Sequence, residues 1–283
     1  MRFTLFWILG VSSLAMAGQS GLPDLSAEQI IEKHVAARGG LENWRKIESM
    51  VWVGHVERSN APMPNLPFVL EMKRPDKTRF EIKAQNQLSL RVFDGANGWK
   101  LRPSAGGAPE VQPYTPEELA YAKEGLGLDG PLMDHAAKGV AVALDGVEEV
   151  EGRKAWHLKL RLPSGARHDV WIDGVSFLEV KHARESGNGQ SRAVVVYRNF
   201  RTQEGLQMPF MIESDGETGK AANRMVIDRI TLNPLLEDRL FAKPRVPGQR
   251  RGITVDTRSP PPARRTSGGL SRPAIATRPG PTS

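Results

Sequence analysis

The alternation of apolar and polar residues between Phe68 and Leu101 constrains the fold of this 283-residue chain more than any other feature. The stretch contains three short alternating runs, separated by the turn-forming sequences Arg-Pro-Asp-Lys and Asp-Gly-Ala-Asn-Gly. A period of two places successive side chains on opposite faces of a β-strand. Turns this short join antiparallel neighbours. The stretch therefore predicts a set of half-buried antiparallel strands.

Similar runs continue along the chain and predict a large, mainly β fold. Twelve strands are expected, near residues 50–58, 67–74, 78–84, 88–93, 98–102, 140–144, 155–162, 167–173, 178–184, 192–201, 208–214 and 224–232. Nearly all of their connections are too short for a parallel crossover. Because strands twist, an antiparallel sheet of this size is expected to curl.

Three helices are expected to cover this sheet. Ser26 and Gln29 form a capping box for an N-terminal helix that ends at Gly39-Gly40. In the middle of the chain, Thr115 caps a helix that ends near Gly125, and a second short helix is predicted for residues 131–139. Short helices have little stability of their own. Because glycines flank these two central helices, we expect a cover that can open.

Both ends of the chain are predicted to lie outside the folded domain, which is assigned to residues 18–244. Residues 1–17 have a short basic start, an apolar run and the sequence Ala-Met-Ala, which predicts a cleaved signal peptide and export to the periplasm. Residues 245–283 are rich in Pro and Arg and predict a disordered basic tail. Such a tail is suited to contact anionic headgroups, and the alternative is a solvated tail without a dedicated partner. Nucleic acid is not expected as a partner of an exported chain.

The residue types that usually carry catalysis or metal binding form no recognisable pattern in this sequence. The chain has no cysteine, no His-Glu-x-x-His and no Gly-x-Ser-x-Gly after a strand. Gly125-Leu-Gly127-Leu-Asp-Gly130 has the letters of a dinucleotide fingerprint, but a helix precedes it where a strand is needed. His168 and His182 could face each other on adjacent strands, without an obvious third ligand. We therefore expect no catalytic residue, no metal, no cofactor and no enzyme activity.

The sequence allows two interpretations of Arg74, a charged residue that continues the apolar face formed by Phe68, Leu70 and Met72. It could bend into solvent with its stem lying on apolar surface. Alternatively, it could reach the mouth of a concave face and donate hydrogen bonds to carbonyl groups of the covering helices.

Two segments resemble a known family. Lys73-Arg74-Pro75-Asp76-Lys77-Thr78-Arg79-Phe80 is similar to the Lys-Arg-Pro segment of LolA, the periplasmic carrier of outer-membrane lipoproteins, and Val92 to Trp99 resembles the strand turn that follows it there. The opening Arg38-Gly-Gly-Leu-Glu-Asn-Trp44 and the close Phe241-Ala-Lys-Pro244 more closely resemble an uncharacterised branch of the LolA/LolB-like superfamily. The resemblance implies an incomplete, half-open antiparallel β-barrel with a helical lid over a hydrophobic cavity. The family's lid-locking arginine falls on Arg74.

This resemblance implies a function. Members of the family bind acyl chains in the cavity, so we expect a monomeric periplasmic carrier or chaperone that moves lipids or lipoproteins toward the outer membrane. The cavity lining is predicted to be Phe68, Leu70, Met72, Leu88, Leu90, Trp99, Trp156, Leu158 and Leu160. One alternative is a lipid or lipoprotein sensor whose tail docks on an envelope membrane regulator. A lipid-acting enzyme is a third, less favoured alternative.

Overall fold

A thirteen-stranded antiparallel sheet dominates the computed structural model, which describes residues 21–57, 65–85, 87–104, 108–125, 127–185, 192–215 and 221–245. The helices in these residues are α1 (Ala27–Ala37), α2 (Leu41–Arg45), α3 (Pro116–Lys123) and a 3₁₀ turn (Asp238–Phe241). The strands are β1 (Ser49–Glu57), β2 (Asn65–Lys73), β3 (Lys77–Ala84), β4 (Gln87–Phe93), β5 (Gly98–Arg102), β6 (Glu110–Pro113), β7 (Ala141–Val150), β8 (Arg153–Arg161), β9 (Arg167–Asp173), β10 (Glu179–Glu185), β11 (Arg192–Arg198), β12 (Arg201–Gln203), β13 (Leu206–Met208), β14 (Met211–Asp215) and β15 (Ala221–Leu232).

The order of strands in the large sheet is β6-β5-β4-β3-β2-β1-β15-β14-β11-β10-β9-β8-β7, while β12 and β13 form a separate ribbon. Strands β6 and β7 are the two edges and do not pair with each other, so the sheet does not close into a barrel. The predicted fold class, a mainly β chain with an open antiparallel barrel, is confirmed. None of the helices in the described residues is long and apolar enough to cross a membrane.

The starts of α1 and α3 follow the capping rules read from the sequence. The Ser26 hydroxyl accepts from the Gln29 backbone at 3.2 Å, and the Gln29 side chain accepts from the Ser26 backbone at 2.9 Å. Thr115 and Glu118 make the same reciprocal pair before α3. Each box satisfies two backbone donors that a helix start leaves unpaired, which explains why both helices begin where predicted.

Several predicted boundaries are wrong for identifiable reasons. Residues 131–139 form successive turns and not a helix, since Asp134 has a left-handed backbone with φ of 54°. The strand predicted for 192–201 stops at Arg198, because the next residue, Asn199, has φ of 58°. Strand β6 was not predicted. The prediction for β7 covered only half of the strand, because a bulge between Leu144 and Gly146 breaks the alternation of apolar and polar residues on which the prediction depended.

The predicted signal peptide (1–17) and nearly all of the predicted tail (245–283) lie outside the described residues. Both stay predictions from sequence.

Candidate functional site

A cavity of about 430 Å³ lies between the concave face of the sheet and its helical cover. The cover is defined here as α3 together with residues 124–125 and 127–130. Apolar side chains from four strands form the opposite wall: Leu70, Met72, Val195, Ile212 and Met225. The cover contributes Tyr121, Ala122, Gly125, Gly127 and Leu128. A volume of a few hundred Å³ with a mostly apolar lining is typical of small-molecule sites.

The nine residues predicted to line a cavity fall into three groups. Leu70 and Met72 lie in the cavity wall. Phe68 is on the same face but is fully buried in the core, where its ring packs against Phe80 with centroids 5.7 Å apart. The remaining six residues lie elsewhere, in two separate hydrophobic clusters.

Trp156, Leu158 and Leu160 are on the concave face but not in the cavity wall. They are buried against Ile30 and Ile31 of α1, with at most 2 % of their surface exposed. Because α1 fills this part of the concave face, these side chains form a dry core beside the cavity. The prediction that they line it is corrected accordingly.

Leu88, Leu90 and Trp99 lie on the outer face of the sheet, which also corrects their predicted role. Ala84 pairs with Gln87, so even-numbered residues of β3 share a face with odd-numbered residues of β4. The face that Phe68 and Ile82 occupy therefore continues through Ser89 and not through Leu88 or Leu90. The outward side chains pack against Leu236 and Phe241 near the end of the described chain.

Helix α3 is docked on the sheet mainly by charge. None of its eight residues is buried. Glu118 accepts from Lys100 at 2.8 Å and from Arg91 at 3.2 Å, both of which project from the concave face of β4 and β5. Burial acts to raise the pKa of Glu118, but hydrogen bonds from Lys100 and the Thr115 backbone, together with the charge of Arg91, outweigh it and lower the pKa to about 2. The carboxylate is therefore ionised at neutral pH.

Arg74 anchors the other end of the cover. Its Nε donates to the Ile47 carbonyl at 2.7 Å, and Nη2 donates to the Trp44 carbonyl at 3.1 Å and to Oδ2 of Asp129 at 2.8 Å. Asp129 is buried and also accepts from Lys138. Of the two interpretations of Arg74, the structure shows the inward one, in which the guanidinium joins the end of α2 to the cover.

A polar cluster adjoins the cavity on strands β9 and β10. His182 shares a 3.1 Å hydrogen bond with His168, and its Nδ1 lies 3.0 Å from Glu179. Burial lowers the pKa of His168 to about 3, so that ring is neutral at physiological pH. The Arg184 guanidinium lies over the ring of Tyr121, 5.0 Å from its centroid. This end of the cavity therefore presents a cation beside the cover.

Solved structures with the same architecture identify the fold. A DUF1329-family protein from Desulfovibrio piger superposes with a TM-score of 0.53 at 11 % identity, covering 77 % of this chain and 98 % of that one. A LolA-superfamily protein from Nitrosomonas europaea matches with a TM-score of 0.50 at 15 % identity, covering 78 % and 99 %. This chain has the LolA-like fold.

A third example of the LolA-like fold is a domain assigned to outer-membrane lipoprotein sorting from Vibrio parahaemolyticus. Its TM-score is 0.50 at 13 % identity, with coverage of 76 % of this chain and 95 % of that one. No protein-family model matches the sequence, and no curated protein matches it either. At these identities the likeness shows the fold alone.

Sequence reasoning missed the part of the cavity wall formed by the second half of the LolA-like sheet. Val195 lies in a run of four apolar residues, 193–196, which has no polar alternation to mark its inward face. Ile212 and Met225 lie on the same face of the sheet as Val195, because β14 pairs with β11 and β15 pairs with β14. These residues could have been found by following the inward face of the sheet from each strand to its hairpin neighbour.

Proposed function

We propose that this protein is a periplasmic carrier that binds an acyl chain of a lipid or lipoprotein in the cavity between the sheet and α3. The observation that supports this most strongly is a contrast between the two sides of the cavity. The sheet side is mostly apolar, and its residues Leu70, Met72, Ile212 and Met225 pack against one core cluster, whereas the cover has no buried residue in α3 and is held by ion pairs. A cover of this kind can open without breaking the core.

The free energy of chain burial is large enough for a carrier. Each methylene transferred from water yields about 0.8 kcal/mol, so ten methylenes give about 8 kcal/mol before any opposing term. Opening the cover and ordering the bound chain subtract from that sum. A net affinity in the micromolar range is suited to both loading and release.

Arg74 acts in this proposal as a latch on the unloaded state. Its bond to Asp129 holds residues 127–130 against the end of α2, so entry of an acyl chain competes with closure of the cover. Arg184, beside Tyr121 at the cavity, offers a cation to the polar or anionic head of the ligand.

Binding of a fluorescent fatty acid to the purified full chain tests the proposal. Val195 points into the cavity and Val196 points to the outer face of the same strand. We expect Val195→Trp to fill the cavity and weaken binding at least tenfold, while Val196→Trp serves as a matched control and binds like wild type. Absence of saturable binding to the wild type, or equal binding by the two folded variants, would contradict the proposal.

A further inference from the structure

One histidine and two carboxylates converge on the outer face of the sheet, at the edge formed by β7. The bulge in β7 makes Asp145 an extra residue opposite His157 of β8, which turns its side chain toward the same face as Glu148. The Nδ1 atom of His157 lies 2.9 Å from Oε1 of Glu148 and 3.3 Å from Oδ2 of Asp145. The ligand atoms of the three side chains all lie within 4.8 Å of one another.

In each of these three side chains, the second polar atom makes a hydrogen bond to a neighbouring side chain. His157 Nε2 bonds Oδ1 of Asp169 at 2.8 Å. Oε2 of Glu148 accepts from the Trp171 indole at 2.8 Å, and Oδ1 of Asp145 accepts from Lys159 at 2.7 Å. The imidazole also stacks on the Trp171 ring, with centroids 4.5 Å apart and planes 5° apart. These contacts leave one oxygen of each carboxylate and one ring nitrogen directed at a common point.

The ring nitrogen at that point is buried and makes no hydrogen bond. The His157 side chain is only 7 % exposed, and its Nδ1 has no partner with hydrogen-bond geometry although both carboxylates are near. Because Nε2 is engaged by Asp169, Nδ1 is the ring nitrogen that faces the two carboxylates. A cation bound between Nδ1 and the two carboxylate oxygens would give this buried nitrogen a partner.

We propose that Nδ1 of His157, Oδ2 of Asp145 and Oε1 of Glu148 bind a Zn²⁺ ion, with water completing its coordination. Ligands about 2.0–2.2 Å from a tetrahedral zinc ion lie about 3.3–3.6 Å from each other. The 3.3 Å spacing between His157 and Asp145 matches this range, and the 2.9 Å spacing between His157 and Glu148 is shorter, so that these two ligand atoms would move apart on binding. A carboxylate on the far nitrogen of the ligating histidine is the usual support of zinc sites. An imidazole ligand favours zinc over calcium, which takes oxygen ligands. Bound zinc would fasten edge strand β7 to β8 across the bulge.

Titration of the metal-free full chain with zinc sulfate, followed by calorimetry and by thermal unfolding, tests this site. We expect one ion per chain and a zinc-dependent rise in Tm, because a ligand of the folded state stabilises it. The double variant Asp145→Asn/Glu148→Gln keeps both side-chain shapes at exposed positions and should bind at least tenfold more weakly with no rise in Tm. Glu149→Gln, on the same strand, is the control and should bind like wild type.

Two results would overturn the zinc site. One is the absence of saturable zinc binding to wild-type protein that unfolds cooperatively, which would leave His157 as a histidine held among carboxylates. The other is equal zinc affinity in the wild type and in the folded double variant, which would assign the binding to other residues. Either result leaves the proposed acyl-chain cavity on the opposite face untouched.

Discussion

Replacement of Arg74 by leucine removes one of the contacts that hold residues 127–130 to the body of the domain. Arg38, which donates to the Asp129 carbonyl at 3.2 Å, and Lys138, which donates to the Gly130 carbonyl at 2.7 Å, keep theirs. The variant loses a charge-assisted bond to Asp129 and two bonds to the carbonyl oxygens of Trp44 and Ile47. Only the bond to Asp129 joins Arg74 directly to the cover. Lys138 remains as a partner for that carboxylate, so the variant does not leave an isolated buried charge.

The expected size of the effect follows from the single bond to Asp129. A hydrogen bond to a charged group contributes about 1.5–3 kcal/mol, and this one is well shielded because Asp129 is only 5 % exposed. Loss of about 2 kcal/mol from the closed state shifts the balance between closed and open cover by about 30-fold. If only the open form admits an acyl chain, apparent affinity rises by up to that factor.

Fluorescent fatty acid titration of Arg74→Leu measures this gain, and hydrogen exchange of the amides of residues 127–130 measures the opening directly. Arg79→Leu is the matched control. Arg79 is similarly buried, 18 % exposed, and pairs with Glu71 and Glu81 on the outer face, away from the cover. We expect the control to lose stability in urea without a change in fatty acid affinity or in exchange at residues 127–130.

The latch hypothesis is refuted if Arg74→Leu, while still cooperatively folded, binds the fatty acid with wild-type or weaker affinity. It is also refuted if residues 127–130 exchange at the wild-type rate. In that case Arg74 would stabilise the turn after β2 without controlling access to the cavity.

Three further changes test the packing and the docking of the cover. Leu158→Ala should lower the free energy of unfolding in urea by about 2–5 kcal/mol, without changing fatty acid affinity, because Leu158 is fully buried under α1. Since the pKa of Glu118 is lowered from 4.5 to about 2, its contribution to docking of α3 is complete above pH 4.5 and is lost as the pH falls toward 2. Amide exchange in α3 should accelerate over that range, and Glu118→Gln should remove the pH dependence. Gly54→Ala would place a Cβ 2.0 Å from the Val226 carbonyl oxygen and should lower Tm by disrupting pairing of β1 with β15.

The parts of the fold that sequence predicted are those fixed by short-range chemistry. The capping boxes at Ser26 and Thr115 involve groups three residues apart, so the sequence alone specifies them. The inward orientation of Arg74 was one of two interpretations, and the choice depended on carbonyl groups about 30 residues away. That choice required the tertiary structure.

The parts that sequence could not predict depend on register. Inward and outward faces exchange when the pairing changes by one residue, which is why Leu88 and Leu90 were assigned to the wrong face. The bulge at Asp145 has the same effect within a single strand, and it hid the convergence of Asp145 with His157. Both features are set by pairing between strands, and no local pattern records them.

The two ends of the concave face differ in what covers them, and this difference explains where a cavity can exist. At β8 and β9, Ile30 and Ile31 of α1 pack against the face of the sheet, and Leu158 has no exposed surface. Removing α1 would return that apolar area to water, at about 25 cal/mol for each Å². Helix α3 buries no residue and is held through the ion pairs of Glu118 with Lys100 and Arg91, without apolar burial in the core. One end of the sheet is therefore covered by apolar packing and the other by ion pairs, and in the proposed carrier the second cover is the one that an apolar ligand would displace.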